Sequence, residues 1–221
     1  MRQKLKYIKM SIKHPGVSNS STYMKYPKEF NFEGQRVLNL GCGCTTYPVK
    51  NVVNLDYLPG EGIDLVWDLS VTPLPFKDGE FDFIIANHVL EHVPNWWECF
   101  KELARITKVG GNIQVFLPGD GGSSQLGYRD HINIINSYSF GGIRMSHRNE
   151  ANIWEIEDRK HLGAVKDLLM TAYTLTPTNY WWLHILPARI QMAAMKHLRN
   201  VVQEQQFIFK KLAPEGVING K

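Results

Sequence analysis

Residues 36–56 read RVLNLGCGCTTYPVKNVVNLD, and their pattern decides the fold. An apolar run at 37–40 reads as a strand that breaks into the turn Gly41-Cys42-Gly43, and a second apolar run at 52–55 ends in Asp56. Glycines at a strand's carboxyl end let the backbone come within contact distance of a ligand. An acid at the end of the next strand can accept hydrogen bonds from ribose hydroxyls. The stretch therefore predicts a nucleoside-binding crevice. A dinucleotide site would call for Gly or Ala at position 46, where Thr46 stands, so a nucleoside without a pyrophosphate is the better match. Only about eleven residues, Pro48 among them, separate the two strands. That is short for a helical crossover, and the connection is expected to be a turn or irregular.

Further along, residues 63–67 form a short apolar run ending in Asp68, and Pro73 and Pro75 impose an extended loop. Lys77-Asp78-Gly79-Glu80 is a turn signal, and 81–86 is a buried strand that delivers Asn87 and His88 to the edge already holding Gly41 and Asp56. Ligands on open α/β sheets bind at that edge. Residues 89–108 read as a broken helix, opened by Leu90-Glu91-His92, interrupted at Pro94 and ended by Gly110-Gly111. Its apolar face is Trp97, Phe100, Leu103, Ala104 and Ile106, and His92 is read as a packed or capping residue. Another strand follows at 112–117. A loop from Pro118 then reaches Tyr128-Arg129-Asp130-His131, where acceptor-handling groups are expected. Residues 158–173 and 188–199 have helical periodicity, and 201–210 ends in FIFKK like a final strand. The aromatics Trp154, Tyr173, Tyr180, Trp181 and Trp182 either pack in the core or line a substrate pocket.

Four segments in this order, VLNLGCGC, VVNLD, DLVWDLSVTPLPFKDGEFDFIIANHVLEHV and FKELARITKVGGNIQVFLPG, resemble the successive motifs of class I S-adenosylmethionine-dependent methyltransferases. The likeness spans residues 36 to about 120. It is greatest to small bacterial and phage members often encoded beside polysaccharide-modifying enzymes. The resemblance implies a Rossmann-like α/β fold, a mostly parallel twisted sheet with helices on both faces. It also implies S-adenosylmethionine as cofactor, held by Asn39, Gly41, Cys42, Gly43, Asp56, Tyr57, Asp68, Leu69, Asn87 and His88. Within that set Asp68-Leu69 would lie beside the adenine, although Asp68 also suits a turn cap. Asn39 stands where many members of the class carry an acid that orders the methionine end of the cofactor.

In such a sheet the strands ending at Ala86 and Leu117 are neighbours. His88 and the segment bearing Asp130-His131 can then converge near the transferable methyl, with His131 as the residue that takes the acceptor proton, His88 seconding it and Asp130 orienting the imidazole. The expected acceptor is a small molecule or glycan, a saccharide or glycolipid hydroxyl. Aminopropyl transfer, lyase chemistry and a non-catalytic scaffold role are the alternatives.

The chain has 221 residues, 43% of them hydrophobic and 21% charged, the balance of an ordinary folded domain. Its net charge of +4 is uneven, since seven basic residues precede the first acid, Glu29, and the remainder is formally −3. Residues 1–34 thus form a basic arm before a single domain at 35–221, comprising a cofactor core at 35–144 and an acceptor-shaping section at 145–221. Leu5, Ile8 and Ile12 fall at helical spacing in the arm. The arm could rest on an anionic membrane surface, steer an anionic substrate, or stand as a solvated terminus. Its basic residues lack the interleaved aromatics of a nucleic-acid face, and no nucleic-acid partner is expected. The three cysteines, Cys42, Cys44 and Cys99, neither build a disulfide framework nor complete a zinc set, so no metal is expected and the chain reads as cytoplasmic. His184, Pro187 and Arg189 interrupt the most apolar late stretch, which does not read as a membrane span.

Overall fold

The computed structural model describes residues 7–9, 25–27, 32, 34–119, 128–140, 143–145, 165, 167–177, 190 and 202–213. Two compact units divide the chain, Met1–Gly34 and Gln35–Lys221. In the first, β1 (Tyr7–Lys9) pairs antiparallel with β2 (Lys25–Pro27), Ile8 lying opposite Tyr26. The helix expected through Ile8 is therefore corrected. A β-branched residue beside Tyr7 suits a strand, and three apolar positions are too few to separate the two periodicities. Leu5 and Ile12 lie outside the described residues.

The second unit is built on an eight-stranded sheet. Its strands are β3 (Val37–Leu40), β4 (Val52–Asp56), β5 (Leu65–Val66), β6 (Phe81–Asn87), β7 (Thr107–Pro118), β8 (Arg144–Met145), β9 (Leu168–Pro177) and β10 (Val202–Lys211), in the spatial order β5-β4-β3-β6-β7-β10-β9-β8. From β5 to β7 every pairing is parallel, in a register that sets Leu40 beside both Leu55 and Ala86, and Asn87 beside Phe116. β10 runs antiparallel to both β7 and β9. The central parallel strands are largely buried, as their mostly apolar runs require: all four residues of β3 are buried. The chain order reverses direction across the sheet between β3 and β6, and the crevice at that switch is where open α/β sheets bind ligands.

Between β3 and β4 the described residues form turns and irregular backbone, as the short spacing predicts. The broken helix is a 3-10 turn at Leu90–His92, a break around Pro94, and α1 (Trp96–Ile106), which buries Cys99, Phe100, Leu103, Ala104 and Ile106. Phe100 meets Phe140 and Phe209 at ring separations of 5.2 and 5.0 Å, so the aromatic face of α1 is core. α1 ends earlier than the glycines suggest. Thr107 turns extended, and its backbone N–H and its hydroxyl (2.6 Å) both donate to the Leu103 carbonyl. Gly110 and Gly111 instead sit inside β7, beside a register shift against β6: Gly110 takes a φ of +83° with open space around it, whereas a Cβ at Gly111 would lie 2.8 Å from the Asp82 carbonyl.

The helix expected over 158–173 is corrected for its second half, because residues 168–173 are strand β9. Tyr173 stacks on Phe207 of β10 at 4.7 Å and donates to Gln205 at 3.0 Å, so strand pairing wins over local periodicity. Nearly all of the 188–199 helix lies outside the described residues, as do Trp154, Tyr180, Trp181 and Trp182. No helix among the described residues is long and apolar enough to cross a membrane.

Candidate functional site

The glycine turn is a backbone necessity. Gly41 and Gly43 have φ of +58° and +54°, in the left-handed region. A Cβ on Gly41 would lie 2.3 Å from Val89 Cγ2, so the turn backs directly on the segment that follows β6. A Cβ on Gly43 would meet nothing within 4 Å, which leaves open space on that side of the turn. Asp56, at the end of the adjacent strand, is fixed next to it. One carboxylate oxygen accepts the Gly43 N–H at 2.7 Å and the other accepts the Leu58 N–H at 3.1 Å. Each oxygen keeps a lone pair for a ligand donor. The Cys42 N–H donates to the Leu55 carbonyl at 3.0 Å, and burial, with the charge of Asp56, pushes the Cys42 thiol up to about 12. Cys42 is thus an inert wall of the turn and no nucleophile.

Asn39 supports this turn from behind. Its side chain is 3% exposed, and its amide nitrogen donates to the Thr45 carbonyl (2.8 Å) and to Asn54 Oδ1 (3.0 Å). Asn54 in turn accepts from the Tyr47 N–H and donates to Asp64. Both amide hydrogens of Asn39 are spent inside this network, which leaves its Oδ1 for a cofactor donor. Asn54, which the sequence reading left as an ordinary strand residue, is the second half of the brace. Its polar side chain in an otherwise apolar strand was the available signal.

Asp68 lies past the end of β5, where the Trp67 N–H donates to the Asp56 carbonyl at 2.9 Å. The Asp68 carboxylate caps a turn by accepting the Ser70 N–H at 2.8 Å, and that hydrogen bond holds its pKa below the usual carboxylate value. Leu69 is buried in the core, while Tyr57 is largely exposed at the rim. Asn87 closes β6 opposite Phe116.

The φ of His88, +49°, is unusual for a residue with a side chain. Its Nε2 lies 3.0 Å from Glu204 of β10, and its Nδ1 lies 3.3 Å from Glu91. Burial alone would lower the imidazole's pKa, but the hydrogen bond with Glu204 and the nearby carboxylates of Glu91 and Glu204 outweigh it and raise the value to about 9. The raised value favours the imidazolium, in which both ring nitrogens are donors.

His131 gathers with Glu91 and His92, one ligand atom of each lying within 4.8 Å of the others. The His131 and His92 rings meet edge to face at 4.7 Å, and Tyr128 stacks on His131 at 5.0 Å. His131 Nδ1 is buried without a hydrogen-bond partner, and neither oxygen of the 1%-exposed Glu91 carboxylate has an aligned donor. Asp130 turns away from His131: its carbonyl is 2.9 Å and its carboxylate 3.5 Å from His92 Nδ1. The segment is pinned in place, because the Ile132 and Asn133 N–H groups both donate to the Glu91 carbonyl at 3.1 Å and Asn133 donates to the Val93 carbonyl at 2.7 Å. Glu91 and His92 were missed as site residues. Their i, i+1 pairing three residues beyond His88 was visible but reads equally as a helix opening.

A parallel sheet with a glycine turn at its switch point and an acid on the neighbouring strand is the arrangement of a Rossmann-like α/β fold. Residues 38–115 match the family described as methyltransferase domain. Among curated relatives, a demethylmenaquinone methyltransferase of Halalkalibacterium halodurans is 28% identical over 103 residues, 37% of this chain and 42% of that protein. An uncharacterized methyltransferase of Mycobacterium sp. (strain JLS) is 45% identical over 42 residues, 19% of this chain and 17% of that one. The chain thus spans less than half the length of these relatives. A SAM-dependent methyltransferase of Archaeoglobus fulgidus matches the fold with a TM-score of 0.52 at 16% identity, over 81% of this chain and 88% of that one. Residues 38–115 are thus similar to methyltransferase domains, and the fold is one that an S-adenosylmethionine-dependent methyltransferase adopts.

Proposed function

We propose that the protein transfers the methyl group of S-adenosylmethionine to a hydroxyl oxygen of a saccharide or glycolipid. The observation that carries the choice of a hydroxyl acceptor is the Glu91–His92–His131 cluster, whose unpartnered His131 Nδ1 stands ready for an acceptor proton. Val89, against which Gly41 packs, is two residues from Glu91, so donor turn and cluster share one edge. Tyr128, Ile132, Ile134 and Tyr138 expose apolar surface on the same segment, which favours an acceptor with an apolar part over a free sugar. A quinone acceptor is the second reading, supported by that apolar rim and by the name of the Halalkalibacterium relative.

When bound, S-adenosylmethionine supplies an electrophilic methyl on a sulfonium. The chain's work is then alignment and removal of one proton. Asp56 is placed to accept from the ribose hydroxyls, Gly43 gives room for close backbone approach, and Asp68 with Tyr57 borders the far side of the crevice. His131 takes the acceptor proton. The reading places the reaction in the cytoplasm, where the free thiols of Cys42, Cys44 and Cys99 remain reduced. It leaves residues 1–34 as a basic arm for an anionic membrane surface, without a nucleic-acid partner. Turnover on lipid-linked and free saccharide acceptors tests the proposal. Methyl incorporation into the lipid-linked acceptor that is lost in His131→Ala is expected, and incorporation only into a quinone would replace the acceptor class.

A further inference from the structure

The Glu91 carboxylate lies inside the protein without a hydrogen-bond partner, and the nearest side-chain nitrogen on the sheet side, His88 Nδ1, lies 3.3 Å away. Glu91 is 1% exposed, and a buried carboxylate without hydrogen-bond donors is costly unless a further positive charge faces it. The groups facing it on the other side are His92 and His131. His92 is oriented as metal-binding histidines are: with Nδ1 donating to the Asp130 carbonyl at 2.9 Å, its Nε2 carries the lone pair. His131 adds a buried nitrogen with no other use, on a segment whose backbone is tied to the Glu91 carbonyl.

We infer that Glu91, His92 and His131 form a binding site for a first-row divalent cation of zinc-like preference, with open coordination positions for an oxygen of the acceptor. Two imidazoles and one carboxylate are the donor set of open zinc sites. Metal–ligand bonds of about 2.1 Å set donors about 3.4 Å apart in a tetrahedron. Closing the present span of 4.8 Å needs on the order of 1.4 Å of movement, within reach of side-chain rotation at Glu91 and His131. The cysteine-based search of the sequence pointed to no metal because the ligands here are His and Glu, brought together across forty positions of chain. A cation and an acceptor proton would compete for the same nitrogen of His131, so the loaded protein would hold the acceptor oxygen by coordination. That use of the site rests on the methyl-transfer reading. The site itself does not.

The test is calorimetric titration of the untagged, chelator-dialysed full chain with zinc chloride, and visible absorption with cobalt chloride. One ion per chain is expected. His131→Ala and Glu91→Gln should each weaken binding on the order of a hundredfold. Because Glu91 is buried, thermal melting accompanies both variants, and the more peripheral His131→Ala carries the result where Glu91→Gln does not fold. S-adenosylmethionine is titrated in parallel. Cofactor binding without zinc binding, or zinc binding unchanged in folded His131→Ala, overturns the cation site. Zinc bound as expected without any cofactor binding supports the site and counts against the methyl-transfer reading instead.

Discussion

The two sides of the sheet's ligand edge are built on different principles. On the donor side, β3, the glycine turn and β4 lie within 21 consecutive residues, and what fixes them is backbone: two left-handed glycines, a parallel register and a carboxylate bonded to the Gly43 N–H at 2.7 Å. On the acceptor side the groups that meet are far apart in sequence. His88 reaches Glu204 across 116 positions, and Asp130 reaches His92 across 38. The glycine turn and its acid are written locally, whereas the His88–Glu204 and Asp130–His92 contacts depend on long-range packing.

The largest expected effect breaks the acceptor side alone. His131→Ala should lower turnover by about a hundredfold to ten-thousandfold, the usual range for loss of a proton-transfer group, with cofactor affinity unchanged at saturation. Steady-state kinetics with a titrated cofactor checks this, and equal losses in turnover and cofactor affinity would mean that the two sides are not separable.

Next in size is the seam between them. Gly41→Ala must place a Cβ where Val89 Cγ2 lies 2.3 Å away, in a left-handed backbone, and should cost about 2 to 5 kcal/mol of stability. Gly43→Ala has open space for its Cβ but the same kind of backbone, so about 1 to 2 kcal/mol is expected. Denaturant unfolding of the pair measures the contrast. Similar losses would remove the packing argument against Val89.

A smaller, pH-dependent effect reads out the His88 clamp. Its folded pKa, about 9 against an ordinary 6.5, is raised, so its stabilisation is fully present below pH 6.5 and is lost as pH climbs through 9. At most about 3 kcal/mol is involved. Unfolding free energy followed from pH 6 to 10 should fall across that window, and His88→Gln should flatten the curve.

The same division explains what could be read from the sequence. Strands β3, β4 and β6 announce themselves because their runs are mostly apolar and largely buried, as at Val37–Leu40 and Phe81–Asn87. The glycine turn is legible because no other residue takes its φ freely. β9 was read as helix because Leu168, Leu169 and Tyr173 fit a 3.6-residue period as well as a strand, and only pairing with β10 decides. The end of α1 was misplaced for a related reason: Gly110-Gly111 resembles a helix stop, yet Thr107 had already closed the helix through Leu103. At the site, residue types were visible but their partners were not. Nothing in the order Asp130-His131 says that the carboxylate faces His92.

The central claim is that the turn at Gly41–Gly43, with Asp56 beside it, is the S-adenosylmethionine site, and calorimetry on the wild-type chain and a folded Asp56→Ala variant tests it most directly. Asp56 accepts backbone N–H groups at 2.7 and 3.1 Å and is placed to accept ribose hydroxyls with its remaining lone pairs. Removing this charged acceptor should cost about 1.5 to 3 kcal/mol, a roughly tenfold to hundredfold loss of affinity for S-adenosylmethionine and for its demethylated product. Unchanged affinity in the folded variant would contradict the assignment of the crevice.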